Sequence, residues 1–409
     1  MSEIPGVATA QLPPAAALPS SKVSINTAAL VGAMVSMKGA SDLIFSPGRP
    51  PQVELNGSLR GVKIEGLPLL LPEHTARIAQ DLIGNNKIAA DNLKEEGSCD
   101  LSYSLPSQNR FRVNIFKQRG SYAIVMRVIP NKIPGFDQLN LPQELKKIAD
   151  LKNGIVLVTG PTGSGKSSTL AAIIDHINST RADHIVTIED PIEFLHQHKL
   201  GTVHQRELHS DTGSFASALR AALRQAPKVI LVGEMRDQET IEIAMTAAET
   251  GHLVFSTLHT IDASKTVERI VGVFPAGDQQ AIRTRLAASF RYFVSQRLLP
   301  RRDGKGRVAA IEILKSTMRT RDYVEKGEGE GKTLLDAMRD GDQEGMQYFD
   351  GELEKMLRAG VISFEDAMHY ATNAGNLRLQ LADFDESDVE PAGPEVLRQS
   401  MPEAVEVER

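Results

Sequence analysis

An α/β fold is predicted for the larger, C-terminal part of this chain, with a smaller α+β domain before it, and three observations predict it. Short apolar runs alternate with helical patterns between residues 155 and 256. The segment before residue 130 mixes helices with alternating strands. A glycine-rich turn joins the first apolar run to the helix that follows it. Short, largely apolar strands separated by helices imply a parallel sheet covered on both faces.

In the larger part, Ile155 to Val158, His184 to Ile188, Val229 to Val232 and Leu253 to Ser256 read as strands, with helices over 166–178, 214–224 and 237–250 between them. Residues 278–298 read as one long helix. Glu352 to Ala359 and Phe364 to Asn373 read as shorter helices broken at Gly360. In the smaller part, residues 26–38 read as a helix with Leu30, Met34 and Met37 near one face, and 73–83 as a helix with Pro72 near its start. Leu43 to Phe45 and Gln52 to Leu55 are short strands parted by Pro50 and Pro51. Cys99 to Tyr103, Arg110 to Phe116 and Tyr122 to Ile129 are three more. Phe111, Val113 and Ile115 alternate with Arg112 and Asn114, the pattern of a strand with one solvated face.

The expected organisation is a disordered Ala/Pro-rich head over 1–21, a first domain over 22–130, a linker over 131–141 containing Pro134, a second domain over 142–380, and an acidic disordered tail over 381–409. The chain has 409 residues, enough for two or three domains of ordinary size. Its net charge of -6 gives no global bias toward nucleic acid, and no basic stripe with interleaved aromatics appears, so a nucleic-acid partner is not expected. Cys99 is the only cysteine, which excludes an intrachain disulfide and a four-cysteine zinc module, and it reads as a small buried hydrophobe. No run approaches the ~18 apolar residues of a membrane span, and no secretion signal is seen, so a cytoplasmic location is expected.

The run Gly160-Pro161-Thr162-Gly163-Ser164-Gly165-Lys166-Ser167 fits G-x-x-x-x-G-K-[ST] and sits between a predicted strand and a predicted helix, the context the motif requires. Its glycines let backbone N–H groups curl around phosphate, and the helix start adds its own free amides. Lys166 is expected to reach the β- and γ-phosphates of ATP and Ser167 to hold magnesium (Mg2+), with Ser168 completing the nucleotide-binding run. Two acids follow parallel strands at the edge where ligands bind in such sheets: Glu189 after Ile188, and Glu234 after Val232 and Gly233. A glutamate placed like Glu234 can polarise a water near the γ-phosphate. His259, after the strand ending at Ser256, is placed to sense that phosphate, to contact a neighbouring subunit, or simply to sit at the surface. The smaller domain supplies Arg110, Arg112, Arg119 and Arg127, readable as solvated strand residues or as phosphate ligands borrowed by a site without its own arginine finger.

Taken together these blocks resemble the type IV pilus retraction (twitching motility) ATPases, PilT and PilU, of the secretion-ATPase superfamily. The resemblance covers roughly residues 25–380. Besides the phosphate loop it rests on Thr187-Ile188-Glu189-Asp190-Pro191-Ile192-Glu193, similar to the family's Asp box, and on Leu231-Val232-Gly233-Glu234-Met235-Arg236-Asp237, similar to its atypical Walker B. It also rests on Gly251 to Thr260, similar to its His box. It implies a RecA-like P-loop NTPase domain with a smaller PAS-like N-terminal domain, and a homo-hexamer docked on a platform protein at the inner-membrane pilus machine. By the same resemblance Glu234 is the catalytic glutamate, Glu189 the acid near magnesium, His252 and His259 the two His-box histidines, and Arg112 and Arg127 the N-domain arginines that reach phosphate. The implied function is an ATP-hydrolysing motor that powers pilus retraction. The alternatives are an accessory PilU-like subunit working with a second retraction ATPase, or a pilus-extension or type II secretion ATPase. Phe194 to His198 and Asn376 to Gln380 resemble PilU, Gly233 to Asp237 resembles PilT, and Thr317 to Tyr323 stands where PilT has Ala-Ile-Arg-Asn-Leu-Ile-Arg.

Overall fold

The computed structural model describes residues 25–64, 67–105, 109–130 and 132–399, so the head expected over 1–21 and the tail beyond residue 399 lie outside the described residues. The chain divides into two compact units between Val128 and Ile129.

The smaller unit comprises α1 (Thr27–Val35), β1 (Ala40–Phe45), β2 (Gln52–Leu55), β3 (Ser58–Gly61), α2 (Pro72–Ile83), α3 (Lys87–Glu95), β4 (Ser98–Ser104), β5 (Arg110–Gln118) and β6 (Ser121–Ile129). Its sheet has the order β3-β2-β1-β6-β5-β4. Phe45, Phe111, Val113 and Ile115 form its core with Val31 and Met34 of α1 and Ile78 of α2, and Cys99 is buried among them. β5 keeps the expected alternation, with Arg112 exposed between buried Phe111 and Val113. α1 is capped by Asn26 and buries Thr27, Val31 and Met34. Met37 falls beyond its end, where helical spacing no longer applies, and is exposed. β3 escaped the sequence reading because every one of its residues is exposed, leaving no alternation to detect.

The larger unit comprises β7 (Gly154–Thr159), α4 (Lys166–Thr180), β8 (His184–Glu189), β9 (Thr202–Glu207), α5 (Phe215–Ala222), β10 (Val229–Val232), α6 (Gln238–Glu249), β11 (Leu253–Leu258), α7 (Ala263–Gly272), α8 (Gln279–Ser289), β12 (Phe290–Pro300), β13 (Arg307–Lys315), α9 (Met318–Lys326), α10 (Leu334–Asp340), α11 (Phe349–Arg358), α12 (Phe364–Tyr370), α13 (Ala374–Gln380) and α14 (Val396–Gln399). Its seven-stranded sheet runs β13-β12-β7-β11-β10-β8-β9. All neighbours are parallel except β12 and β13. Each central strand divides its side chains between two cores. Ile155, Leu157, Ile230 and Val232 pack with α6, α7 and α8 on one face. Val156, Val158, Val229 and Leu231 pack with α4 on the other. This two-sided burial is why those strands read as continuous apolar runs. Among the described residues no helix is long and apolar enough to cross a membrane.

Three expectations change. The long helix over 278–298 is instead α8 followed by β12. A segment apolar on both faces reads equally as buried helix or buried strand, and the open slot between β7 and β13 selects strand here. The stretch read as a linker is packed: Phe136 and Leu141 are buried in the core on the α4 face. The tail from residue 381 is also folded as far as it is described. Leu381 is buried and Phe384 packs beside it, while Arg302 donates to the Val389 carbonyl at 2.7 Å and the Ala392 amide to Gly360. Its few apolar residues and its backbone, rather than its acidic character, decide that docking.

Phe293 is fully buried in β12 and stacks on Phe290 with ring centroids 5.0 Å apart. Phe293→Ala is expected to destabilise the chain by about 3–5 kcal/mol, measured by denaturant unfolding followed by circular dichroism.

Candidate active site

β7 is buried along its whole length and delivers the chain into the loop at Gly160. The Gly160 amide donates to the Leu258 carbonyl of β11 at 3.3 Å. On its other side the loop presses against β12: a Cβ at Gly160 would lie 2.4 Å from the Gln296 carbonyl oxygen and 2.6 Å from Ser164 Oγ, at a φ of 141°. Only glycine fits there. Gly165 opens α4 in the left-handed region at φ 93° and provides no side-chain cap, which leaves the first amides of α4 for an external acceptor. Ser164 Oγ is buried and has no hydrogen-bond partner. Pro161, Thr162, Gly163 and Ser167 are exposed along the loop and helix start, and Ser168 is half-buried in the first turn. A cradle too tight for a side chain, an uncapped helix start and an orphaned hydroxyl together suit a phosphate group.

Lys166 folds back into this cradle. Its Nζ donates to the carbonyls of Gly160 at 2.8 Å and Pro161 at 3.0 Å. Burial pushes its ammonium below the ordinary lysine value, and the charge of Glu234 opposes that shift. Lys166 and Glu234 therefore act on one another, although they follow strands separated by β11.

Glu234 is held by backbone on both sides. The Gly233 amide donates to Ile188 at 2.7 Å, and Thr257 Oγ1 donates to the Gly233 carbonyl at 2.7 Å. The Met235 amide reaches the Thr257 carbonyl at 3.4 Å. The mostly sheltered Glu234 carboxylate meets Arg236 Nε at 2.6 Å, and His259 Nε2 lies 3.6 Å from the same oxygen. Glu189 ends β8 one strand over, in register with β10. Its Oε1 accepts from Thr187 Oγ1 at 2.6 Å and Gln205 Nε2 at 3.0 Å. Burial pushes its carboxyl above the usual glutamate range, and these hydrogen bonds partly oppose the shift.

The sheet thus brings Lys166, Glu234 and His259 to one edge, with Glu189 at the flank. His252 is not brought there. It sits at the far end of β11, its Nδ1 2.9 Å from the Ala247 carbonyl, and the whole length of that strand, at ~3.3 Å per residue, lies between it and His259. Arg112 and Arg127 are on the smaller unit, on the exposed face of its sheet, and Arg127 Nε pairs with Asp42 across β1 and β6 at 2.9 Å. Sequence reasoning missed Arg236, which stands two residues from Glu234 inside a block already singled out. It also missed Gln205, whose strand shows too little apolar alternation to be recognised.

Residues 75–366 match the family described as Type II/IV secretion system protein. The chain is 44% identical to the type IV pilus retraction ATPase PilT of Pseudomonas aeruginosa over 339 residues, covering 83% of this chain and 96% of that protein. It is 40% identical to the type IV pilus ATPase PilU of the same organism, covering 86% of this chain and 91% of that protein. Among solved structures it is similar to the pilus retraction motor PilT with bound ADP, at TM-score 0.76 and 41% identity, covering 86% of this chain and 98% of that one.

The tight approach at Gly160 yields a direct test. Gly160→Ala is expected to keep the circular dichroism spectrum of the folded chain and to weaken binding of a fluorescent ATP analogue by at least about 100-fold, since removing two of the cradle's phosphate contacts costs on the order of 3 kcal/mol.

Proposed function

The chain belongs to the PilT/PilU retraction ATPases of the type II/IV secretion family, and from that premise we propose that it hydrolyses ATP to drive retraction of a type IV pilus. Its fold is the RecA-like P-loop NTPase fold with a smaller N-terminal domain. The observation that carries this reading is the placement of Lys166, His259 and Glu234 at the carboxyl edge of three neighbouring parallel strands, with His259 beside Glu234 and the Glu234 charge acting on Lys166.

In this reading Lys166 exchanges the Gly160 and Pro161 carbonyls for the β- and γ-phosphates, which offset the cost of burying its charge. Glu234 is the general base for the attacking water, and Arg236 and His259 hold its carboxylate in place. Ser167 and Glu189 are the residues that would hold Mg2+, which when bound neutralises charge on the phosphates. Glu189 suits that role: its carboxyl is raised by burial, and a cation beside it would favour the ionised form. Arg112 and Arg127 are proposed as phosphate ligands contributed within a homo-hexameric ring. Arg127 is largely exposed and would exchange the mostly sheltered Asp42 for phosphate. The ring would work from the cytoplasmic side of the inner membrane on a pilus platform protein. The segment Thr317 to Tyr323 departs from the PilT pattern and exposes Met318 at the start of α9. It supports a variant of this reading in which a second retraction ATPase shares the work.

Two experiments test the proposal. Lys166→Ala is expected to lose ATP binding, whereas Glu234→Gln keeps ATP bound and hydrolyses it about 100-fold or more slowly. Near-normal turnover in Glu234→Gln would end the general-base assignment. For the arginines, an Arg112→Ala, Arg127→Ala chain is mixed with a Glu234→Gln chain, each inactive alone. Recovered hydrolysis in the mixed ring is expected, because some interfaces then pair an intact Glu234 with intact arginines. Near-normal hydrolysis in the arginine variant alone would refute their role.

A further inference from the structure

Behind the phosphate loop runs a row of buried polar side chains that the hydrolysis steps above do not use. Glu312 of β13 is paired in register with Ser295 of β12, and Ser295 with Thr159 of β7. The three are 3%, 0% and 0% exposed, on the sheet face otherwise filled by Leu157, Phe293 and Leu314. Thr159 Oγ1 donates to Ser295 Oγ at 3.1 Å, and Ser295 stands directly opposite Glu312 in the ladder, where its hydroxyl favours the ionised carboxylate. Thr159 is the last residue before Gly160, and its own partner across the sheet is Leu258, the residue before His259.

The other arm of Glu312 reaches the segment after His259. Glu312 Oε1 accepts the Ala263 amide, the first of α7, at 2.8 Å. Asp262 caps the same helix by accepting the Lys265 amide at 2.7 Å. Thr266 Oγ1 donates to the Asp262 carbonyl at 2.7 Å, so the 2.6 Å bond between Thr260 and Thr266 must be donated by Thr260. The four residues from His259 to Asp262 are thereby pinned at one end by β11 and at the other by Glu312 and Thr266.

A buried carboxylate is costly, and a row of apolar side chains would pack this face more stably. We propose that Glu312 is a positioning residue for ATP hydrolysis, which ties the phosphate-loop strand to the start of α7 and so fixes His259 against Glu234. The inference rests on the assignment of Glu234 and His259 under the proposed function.

The ionised form of Glu312 satisfies both donors that face it, the Ala263 amide and the Ser295 hydroxyl. Burial pushes its carboxyl up to about 7, with Asp262 adding to the rise and the backbone bond, Ser295 and Arg297 opposing it. Protonation turns one carboxyl oxygen into a donor, so the Ser295 hydroxyl must switch from donating to accepting and the row toward Thr159 is rearranged. Hydrolysis should therefore be supported above this value and fall as the pH drops through it.

The test uses the full chain with ATP and magnesium. Glu312→Gln keeps the volume and one acceptor and stands in for the protonated form. It is expected to fold with an unchanged melting temperature and to bind a fluorescent ATP analogue within about threefold of wild type. Its kcat should fall about tenfold, as expected for a small misplacement of a catalytic group. The wild-type decline of kcat below about pH 7 should be absent in this variant. Adding Glu312→Gln to His259→Ala should lower kcat no further, because both act through the same contact. Ser295→Ala, which cuts only the arm toward Thr159, keeps the idea testable if Glu312→Gln is unstable, and a several-fold loss of kcat is expected there too. Wild-type kcat with an unchanged pH profile in Glu312→Gln, or full additivity with His259→Ala, would overturn the positioning role while leaving the site assignment intact. Wild-type turnover in Glu234→Gln would instead remove the premise and overturn both.

Discussion

The main chain at Gly160 passes so close to β12 that no side chain fits between them, and the rest of the site depends on that approach. It seats the loop against the sheet edge, where Lys166 folds back onto the Gly160 carbonyl and the first turn of α4 has no side-chain cap. The approach is possible because β7 is flanked by parallel neighbours on both sides and cannot shift without breaking two ladders. The phosphate loop is thus a rigid consequence of sheet packing, although its composition suggests a flexible turn.

The same packing arranges the charges. Strand order places the phosphate loop, His259, Glu234 and Glu189 in sequence across four neighbouring strand ends. Each functional side chain follows a buried strand, so each inherits that strand's register. Lys166 is disfavoured as a cation by burial and Glu189 as an anion by burial. An anion beside Lys166 or a cation beside Glu189 would offset that burial. Arg236 differs, because its guanidinium is mostly exposed while the Glu234 carboxylate it pairs with is mostly sheltered.

Polar groups inside the β12–β13 region show what the fold gives up for function. Thr159, Ser295, Glu312 and Gln296 occupy positions where apolar residues would pack better. Gln296 lies beneath the loop with its carbonyl against Gly160. Their common location, under the phosphate loop and beside the start of α7, separates them from an unrelated structural network such as Glu144 with Lys147, Lys315 and Tyr292.

The sequence alone determined the phosphate loop, the central strands and the acids that follow them. Those signals are local: a glycine pattern next to a strand, or an apolar run ended by a carboxylate, is written within a few consecutive residues. Composition likewise settled what one cysteine excludes, and the alternation in β5 marked its solvated face. Only the tertiary structure decided that residues 290–300 form a strand, since their burial on both faces comes from neighbours distant in the chain. The sequence already set His252 and His259 at opposite ends of one strand, and the structure added that His259 lies 3.6 Å from Glu234 while His252 turns to the Ala247 carbonyl. The contact of Arg236 with Glu234, and the row from Glu312 to Thr159, were equally closed to sequence, because a cross-strand or turn contact depends on register and direction, which a one-dimensional pattern does not carry.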